Sequence, residues 1–261
     1  MRYGKTEIVL CEDVQDLGRR AAAAVAEVMR RRLASQPEVR MILAAGESQM
    51  TFLDALAVEP GIAWERVVCF NMDDFWHPGL PREYTCGWQV QRQLYDKVNP
   101  KRVELVRFNA PDPEAEARRF GDLLAVAQPM DILCQGIGTS GHLALDEPGQ
   151  CDFETRVLVK VADVDEQSKR QLREDPNFQA LGFIPDKGIT MTIPAMLAAR
   201  HLFTIVPLGL KRPILARVLA TSVPTTALPA SILSRYEGLL FLDRDSCPAE
   251  HGGRAGGPRV A

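Results

Sequence analysis

A series of short apolar runs, four of them ending abruptly in glycine-rich or polar segments, constrains this chain more than anything else in it. The runs are Ile8-Val9-Leu10, Met41-Ile42-Leu43-Ala44-Ala45, Val67-Val68-Cys69-Phe70, Ile132-Leu133-Cys134, Val157-Leu158-Val159, Ile189-Thr190-Met191-Thr192-Ile193, Leu202-Phe203-Thr204-Ile205-Val206 and Leu239-Leu240-Phe241-Leu242. Strands this short, with so little polar alternation, are covered on both faces, as in a parallel sheet between helices. Helical stretches separate them. Val14, Leu17, Ala21, Val25 and Val28 recur at three- and four-residue steps, the period of one helical face. Further helices are expected from Tyr84 to Lys97 and after Pro113, where Ala117, Phe120, Leu123 and Leu124 recur. With right-handed crossovers the pattern predicts an α/β fold: a single-domain, doubly wound, mainly parallel sheet, Rossmann-like, with helices on both faces. The domain is expected over residues 1–247. Residues 248–261, rich in Gly, Arg and Pro and without apolar periodicity, are expected to be a disordered tail.

The 261 residues suffice for one such domain, and no composition break or internal repeat marks a second. Basic and acidic side chains nearly cancel, 31 against 34, which is no electrostatic footprint for nucleic acid. No apolar window reaches the ~20 residues that span a bilayer. The opening Met1-Arg2-Tyr3-Gly4-Lys5-Thr6-Glu7 lacks the apolar core of a signal peptide. Cys11, Cys69, Cys86, Cys134, Cys151 and Cys247 are scattered without a Cys-x-x-Cys pair. A cytoplasmic protein is therefore expected, not a disulfide scaffold or a zinc ribbon.

The segments Gly46-Glu47-Ser48-Gln49, Asn71-Met72-Asp73-Asp74, Gly136-Ile137-Gly138-Thr139-Ser140-Gly141-His142 and Pro207-Leu208-Gly209-Leu210-Lys211 each follow one of the runs. If those runs are parallel strands, all four segments emerge at one carboxyl edge, where open α/β sheets bind ligands. The third segment matches Gly-x-Gly-x-x-Gly. A dinucleotide fingerprint also needs a helix opening on its third glycine, and Pro148 would collide with a three-turn helix begun at Gly141. The segment is read instead as a glycine-rich loop presenting His142, with Asp146 and Glu147 just beyond.

Histidine exchanges its proton near neutral pH, and a carboxylate beside it fixes the tautomer and raises basicity. A single histidine in a loop is more often a cap, but flanking glycines and nearby carboxylates favour catalysis here. Of Asp73 and Asp74, one can cap a helix; the other, at a desolvated strand end, can act as a base with raised pKa. Lys211 before a helix makes an anion pocket. A metal centre drawn from His142, Asp73, Asp74 and His77 is disfavoured, because the set lacks the spacing of helical His-x-x-x-His or cysteine motifs.

In this order the loops resemble those of the glucosamine-6-phosphate deaminase (isomerase) family, whose wider relatives include the 6-phosphogluconolactonases. The resemblance runs from about Ile8 to Asp243. It is carried mainly by Val68-Cys69-Phe70-Asn71-Met72-Asp73-Asp74 and by Gly136 through Pro148, which match a Phe-Asn-Met-Asp segment and a Gly-x-Gly-x-x-Gly-His-x-x-x-Asn-Glu-Pro segment. It implies that Asp73 shuttles a proton between C2 and C1 of an opened amino sugar, that His142 assists ring opening, and that Glu147 supports His142. It further implies that Gly46, Glu47, Ser48 and Gln49, with Lys211, hold the sugar phosphate; Asp74 and Gly138 join the binding set, and Lys169 is a candidate to reach the phosphate. The reaction so implied turns an amino-sugar 6-phosphate and water into a ketose 6-phosphate and ammonia, with no metal or redox cofactor. The expected partner is a small sugar phosphate, not nucleic acid or membrane; a homo-oligomer is left open.

Three positions depart from the family pattern. Ser140 stands where an Asp usually precedes Gly-His, and Asp146 where Asn precedes Glu-Pro. Gly46-Glu47-Ser48-Gln49 stands where the phosphate loop usually reads Gly-Gly-Thr-Pro or Gly-Ser-Thr-Pro. A hydroxyl at 140 bonds an imidazole but brings no charge, and a carboxylate at 47 repels phosphate unless it points away. These departures leave open a different sugar epimer, a lactonase using His142 as general base on water, and a sugar-phosphate-binding protein without turnover.

Overall fold

Side chains along a strand alternate between faces, and in this protein that alternation sorts the central sheet into two apolar cores. The computed structural model describes residues 1–174 and 176–249; the expected tail from 250 onward lies outside the described residues. In chain order the elements are β1 (Arg2–Tyr3), β2 (Thr6–Cys11), α1 (Val14–Ser35), β3 (Val39–Leu43), α2 (Met50–Ala57), β4 (Val67–Asn71), β5 (Asp73–Trp76), α3 (Cys86–Val90), α4 (Asp96–Val98), β6 (Arg102–Glu104), α5 (Pro113–Ala127) and β7 (Ile132–Gln135). There follow β8 (Val159–Asp163), α6 (Glu166–Glu174), α7 (Pro176–Leu181), β9 (Lys187–Met191), α8 (Ile193–Leu197), β10 (His201–Val206), α9 (Arg212–Ala220) and β11 (Gly238–Asp243). One wide helical turn, Gln91–Tyr95, joins α3 to α4.

Eight strands form the main sheet in the order β1-β2-β11-β10-β7-β3-β4-β6. Every pairing is parallel except the β1–β2 hairpin. Met41, Leu43, Cys69, Ile132, Cys134 and Phe203 face one core, closed by α1 and α2. Ile42, Val68, Phe70, Leu133, Leu202 and Val206 face the other, closed by α5, α8 and α9. Helix α1 starts where the Asp13 side chain accepts from the Asp16 N–H at 2.8 Å, satisfying one of the free donors of its first turn. Gly18 lets α1 close on α2, because a Cβ there would sit 2.7 Å from the Thr51 backbone.

From β3 the chain steps outward to β4 and β6. It then crosses back to β7 on the other side of β3 and proceeds to β10 and β11. The direction of winding reverses between β3 and β7, and such a reversal opens a crevice at the carboxyl ends of the two strands.

One expectation needs correcting. Residues 159–163 and 187–191 are not in the parallel sheet; with Asp73–Trp76 they form a second sheet, antiparallel, in the order β5-β9-β8. Gly188 through Met191 are all buried, so β9 shows the same absence of polar alternation as a central parallel strand. Asp73 thus opens a strand of its own, opposite Thr190, instead of lying in a loop. Among the described residues no helix is long and apolar enough to cross a membrane.

Candidate active site

The segments after β3, β4, β7 and β10 meet in one cleft of about 1110 Å³. Its walls include Gly46, Glu47, Ser48 and Gln49, Asp73, Gly138 and His142, and Leu208 and Lys211. The four segments thus converge at the carboxyl edge, at the reversal between β3 and β7.

Asp73 enters the cleft from the first position of β5. Burial pushes its carboxyl up to about 7, with the neighbouring Asp146 adding to the rise and His142 opposing it. A carboxyl so poised can both take and give a proton near neutral pH.

Backbone shape fixes His142. The Gly138 N–H donates to the His142 carbonyl at 3.0 Å, and the Gly141 N–H to the Gly138 carbonyl at 3.0 Å. Gly141 has φ +94°, a conformation suited to glycine. A Cβ at Gly138 would collide with the His142 ring. Nδ1 of His142 lies 2.7 Å from Oε1 of Glu147 and 2.9 Å from the Ser140 hydroxyl, which itself donates to Oε2 of Glu147 at 2.7 Å. With the hydroxyl proton committed to Glu147, both neighbours of Nδ1 are acceptors. Its hydrogen is thereby assigned to Nδ1 and Nε2 is left for a ligand.

Glu147 is 1% exposed. Burial alone would raise its pKa, but the hydrogen bond and charge of His142, with hydrogen bonding to Asp165 and Ser140, overcome it and hold the carboxyl at about 2. Ser168 donates to Oε1 of Glu147 at 2.9 Å and approaches Oδ2 of Asp165 at 3.1 Å. His142, Glu147 and Asp165 bring ligand-type atoms within 4.8 Å of one another; the hydroxyls of Ser140 and Ser168 knit them into a hydrogen-bonded network. Asp146, at the departure from the family's Asn, is 1% exposed and ion-paired with Lys160 of β8 at 2.6 Å. Burial raises its carboxyl and Lys160 pulls it back.

The opposite end is laid out for an anion. Gly46 has φ +103° with open space where a Cβ would stand, and its N–H is held by Oε1 of Gln89 at 2.9 Å. Lys211 precedes α9 and has no ion pair among the described residues. It is also the one lysine or arginine among them that lines the cleft. Burial lowers it to about 8, and the charge of Glu47 opposes the shift. Glu47 is exposed. Gln49 turns inward: its Nε2 donates to the Ile205 carbonyl at 3.1 Å, tying the loop to β10.

Two residues expected in the binding set are placed elsewhere. Asp74 is 2% exposed and accepts from the Cys86 and Gly87 N–H groups at 2.9 and 2.8 Å, so it serves the start of α3. Burial raises it, and those two donors pull it back. Lys169 pairs with Asp186 at 2.9 Å and Glu166 at 3.3 Å, outside the cleft wall. His77 stacks on Phe183, ring centres 4.2 Å apart. Sequence reasoning missed Ser168 and the aromatic wall of Phe75, Tyr84 and Phe178, in which Phe178 meets Tyr84 edge-on at 5.4 Å. The Asp165-x-x-Ser168 spacing reads only as a helix start.

A family model described as glucosamine-6-phosphate isomerases/6-phosphogluconolactonase matches residues 12–241. The chain is 29% identical to a glucosamine-6-phosphate deaminase of Shouchella clausii, over 90% of this chain and 93% of that protein. It is 27% identical to glucosamine-6-phosphate deaminase 2 of Giardia intestinalis, over 88% and 86%. Among solved structures, a monomeric glucosamine-6-phosphate deaminase superposes with TM-score 0.81 at 21% identity, covering 92% of this chain and 98% of that one. A 6-phosphogluconolactonase from Thermotoga maritima superposes with TM-score 0.72 at 19% identity, covering 92% and 99%. This chain belongs to the family of glucosamine-6-phosphate isomerases and 6-phosphogluconolactonases.

Proposed function

We propose that this protein is an amino-sugar-phosphate deaminase, converting glucosamine 6-phosphate or a close analogue such as galactosamine 6-phosphate, with water, into a ketose 6-phosphate and ammonia. One observation carries the reading: Asp73, poised near neutrality, shares a cleft with the His142–Glu147 pair. Nε2 of His142 moves a proton between the anomeric and ring oxygens as the sugar opens. Asp73, as carboxylate, takes the C2 proton and returns it to C1. The C2–N bond becomes an imine, water adds to it, and ammonia leaves. Lys211, Ser48 and the Gly46 turn hold the phosphate. All these groups come from one chain, acting as a cytoplasmic enzyme that needs no nucleic-acid or membrane partner.

Support against the lactonase alternative lies in Asn71-Met72-Asp73 and Glu147-Pro148, which match the deaminase pattern, and in deaminase relatives at 27–29% identity. Ammonia release from glucosamine 6-phosphate and galactosamine 6-phosphate tests the reading. Turnover is expected with one of the two, and Asp73→Asn should lower it by roughly 10²–10⁴-fold. Because burial raises Asp73, its carboxylate is lost below about pH 7, so turnover should climb as pH rises through that value. No ammonia from either sugar, together with opening of a phosphogluconolactone, overturns the proposal in favour of the lactonase.

A further inference from the structure

We propose that Ser168, on the first turn of α6, is a positioning residue for the His142–Glu147 pair, acting with Ser140. Glu147 presents two oxygens, and a hydroxyl bonds each: Ser140 to Oε2 at 2.7 Å and Ser168 to Oε1 at 2.9 Å. A carboxylate gripped at both oxygens cannot rotate about its terminal bond. Oε1, which also receives Nδ1 of His142 at 2.7 Å, is thereby fixed in direction as well as distance. The grip on Oε1 comes from a different part of the fold. Ser168 is itself anchored, its N–H donating to Oδ1 of Asp165 at 3.0 Å, and α6 and α7 also supply Leu172 and Phe178 to the cleft wall. The orientation of the imidazole therefore depends on α6 lying in place.

The charged groups around the pair come from several elements. Asp73 faces it from β5, and Asp146, held by Lys160 of β8, faces it from the same loop. Asp165 adjoins it at the head of α6, while Lys211 and Glu47 line the far end of the cleft. With so much negative charge near His142, a second hydroxyl donor on Glu147 offsets part of the carboxylate's pull on Nδ1–H. A further carboxylate would add to it.

The geometry stands independently of the deaminase reading; the kinetic test rests on that reading, and a second test does not. Ser168→Ala should lower kcat by roughly tenfold to a hundredfold, the cost of a misplaced catalytic group, with KM within about twofold of the parent by the same reasoning. Loss of the donor on Oε1 also frees Glu147 from its fixed direction, so the NMR signal of the His142 Nδ1–H should move in Ser168→Ala. Ser168→Thr, which keeps the hydroxyl, should restore both. That signal, assigned by its absence in His142→Gln among the four histidines, can be read without turnover. Unchanged kcat with an unmoved Nδ1–H signal overturns the proposal, whether or not Tm falls. If neither amino sugar yields ammonia, the deaminase reading fails, and the Nδ1–H signal alone still decides the role of Ser168.

Discussion

At one end of the cleft His142, Glu147, Ser140 and Ser168 hold one another, with both carboxylate oxygens of Glu147 bonded within the protein. At the other end Lys211 is half-buried, with no ion-pair partner among the described residues, and Glu47 stands exposed. The first end keeps its geometry whether or not it is occupied, as proton transfer requires. The second leaves a desolvated cation waiting for an anion. One end is organised for chemistry, the other for recognition.

Substitutions should separate the two. His142→Gln acts at the organised end and should lower kcat by roughly 10²–10⁴-fold while Tm moves by no more than about 4 °C. An equal collapse of stability would make the imidazole a structural prop and erase the contrast. Lys211→Met acts at the open end and should raise KM by roughly tenfold to a hundredfold, the worth of one charge-assisted hydrogen bond, with kcat little changed. It should also abolish the rise in Tm that inorganic phosphate gives the parent, since stabilisation by a ligand requires its site.

Glu47→Gln should have the smallest effect. At pH 7 it removes a weakly screened repulsion and lowers KM by about twofold to fivefold. Near pH 9 the gain should shrink, because Glu47 helps Lys211, already lowered to about 8, keep its proton. A higher KM at pH 7 would instead mean that Glu47 touches the substrate, and the two ends would then be less different than they look.

Much of this arrangement was legible in the letters. Unbroken runs such as Ile132-Leu133-Cys134 identified strands buried on both faces, and the segments behind them named one edge of the sheet. What escaped had physical reasons. Strand β6, Arg102–Glu104, is short and charged and among the described residues pairs with β4 alone, so it carries the signature of an edge and not of a core. Strand β5 begins with two aspartates, residues depleted in strands; it exists because β9 offers it a partner. Asp74 looked like a site residue because Asp73 does, yet one residue along a strand points to the opposite face, and there it meets the start of α3. Lys169 kept its charge for Asp186 and Glu166 on its own side of the molecule. Ser168 was invisible because its contact with Glu147 joins residues separated by a strand and a turn, which no local spacing encodes.

Gly138 leaves room for an imidazole and nothing more. Even a methyl group there would push the imidazole out of its place. Exchange of exposed Glu47 at the far end meets no such barrier, so the two walls of one hollow differ in how much change they tolerate.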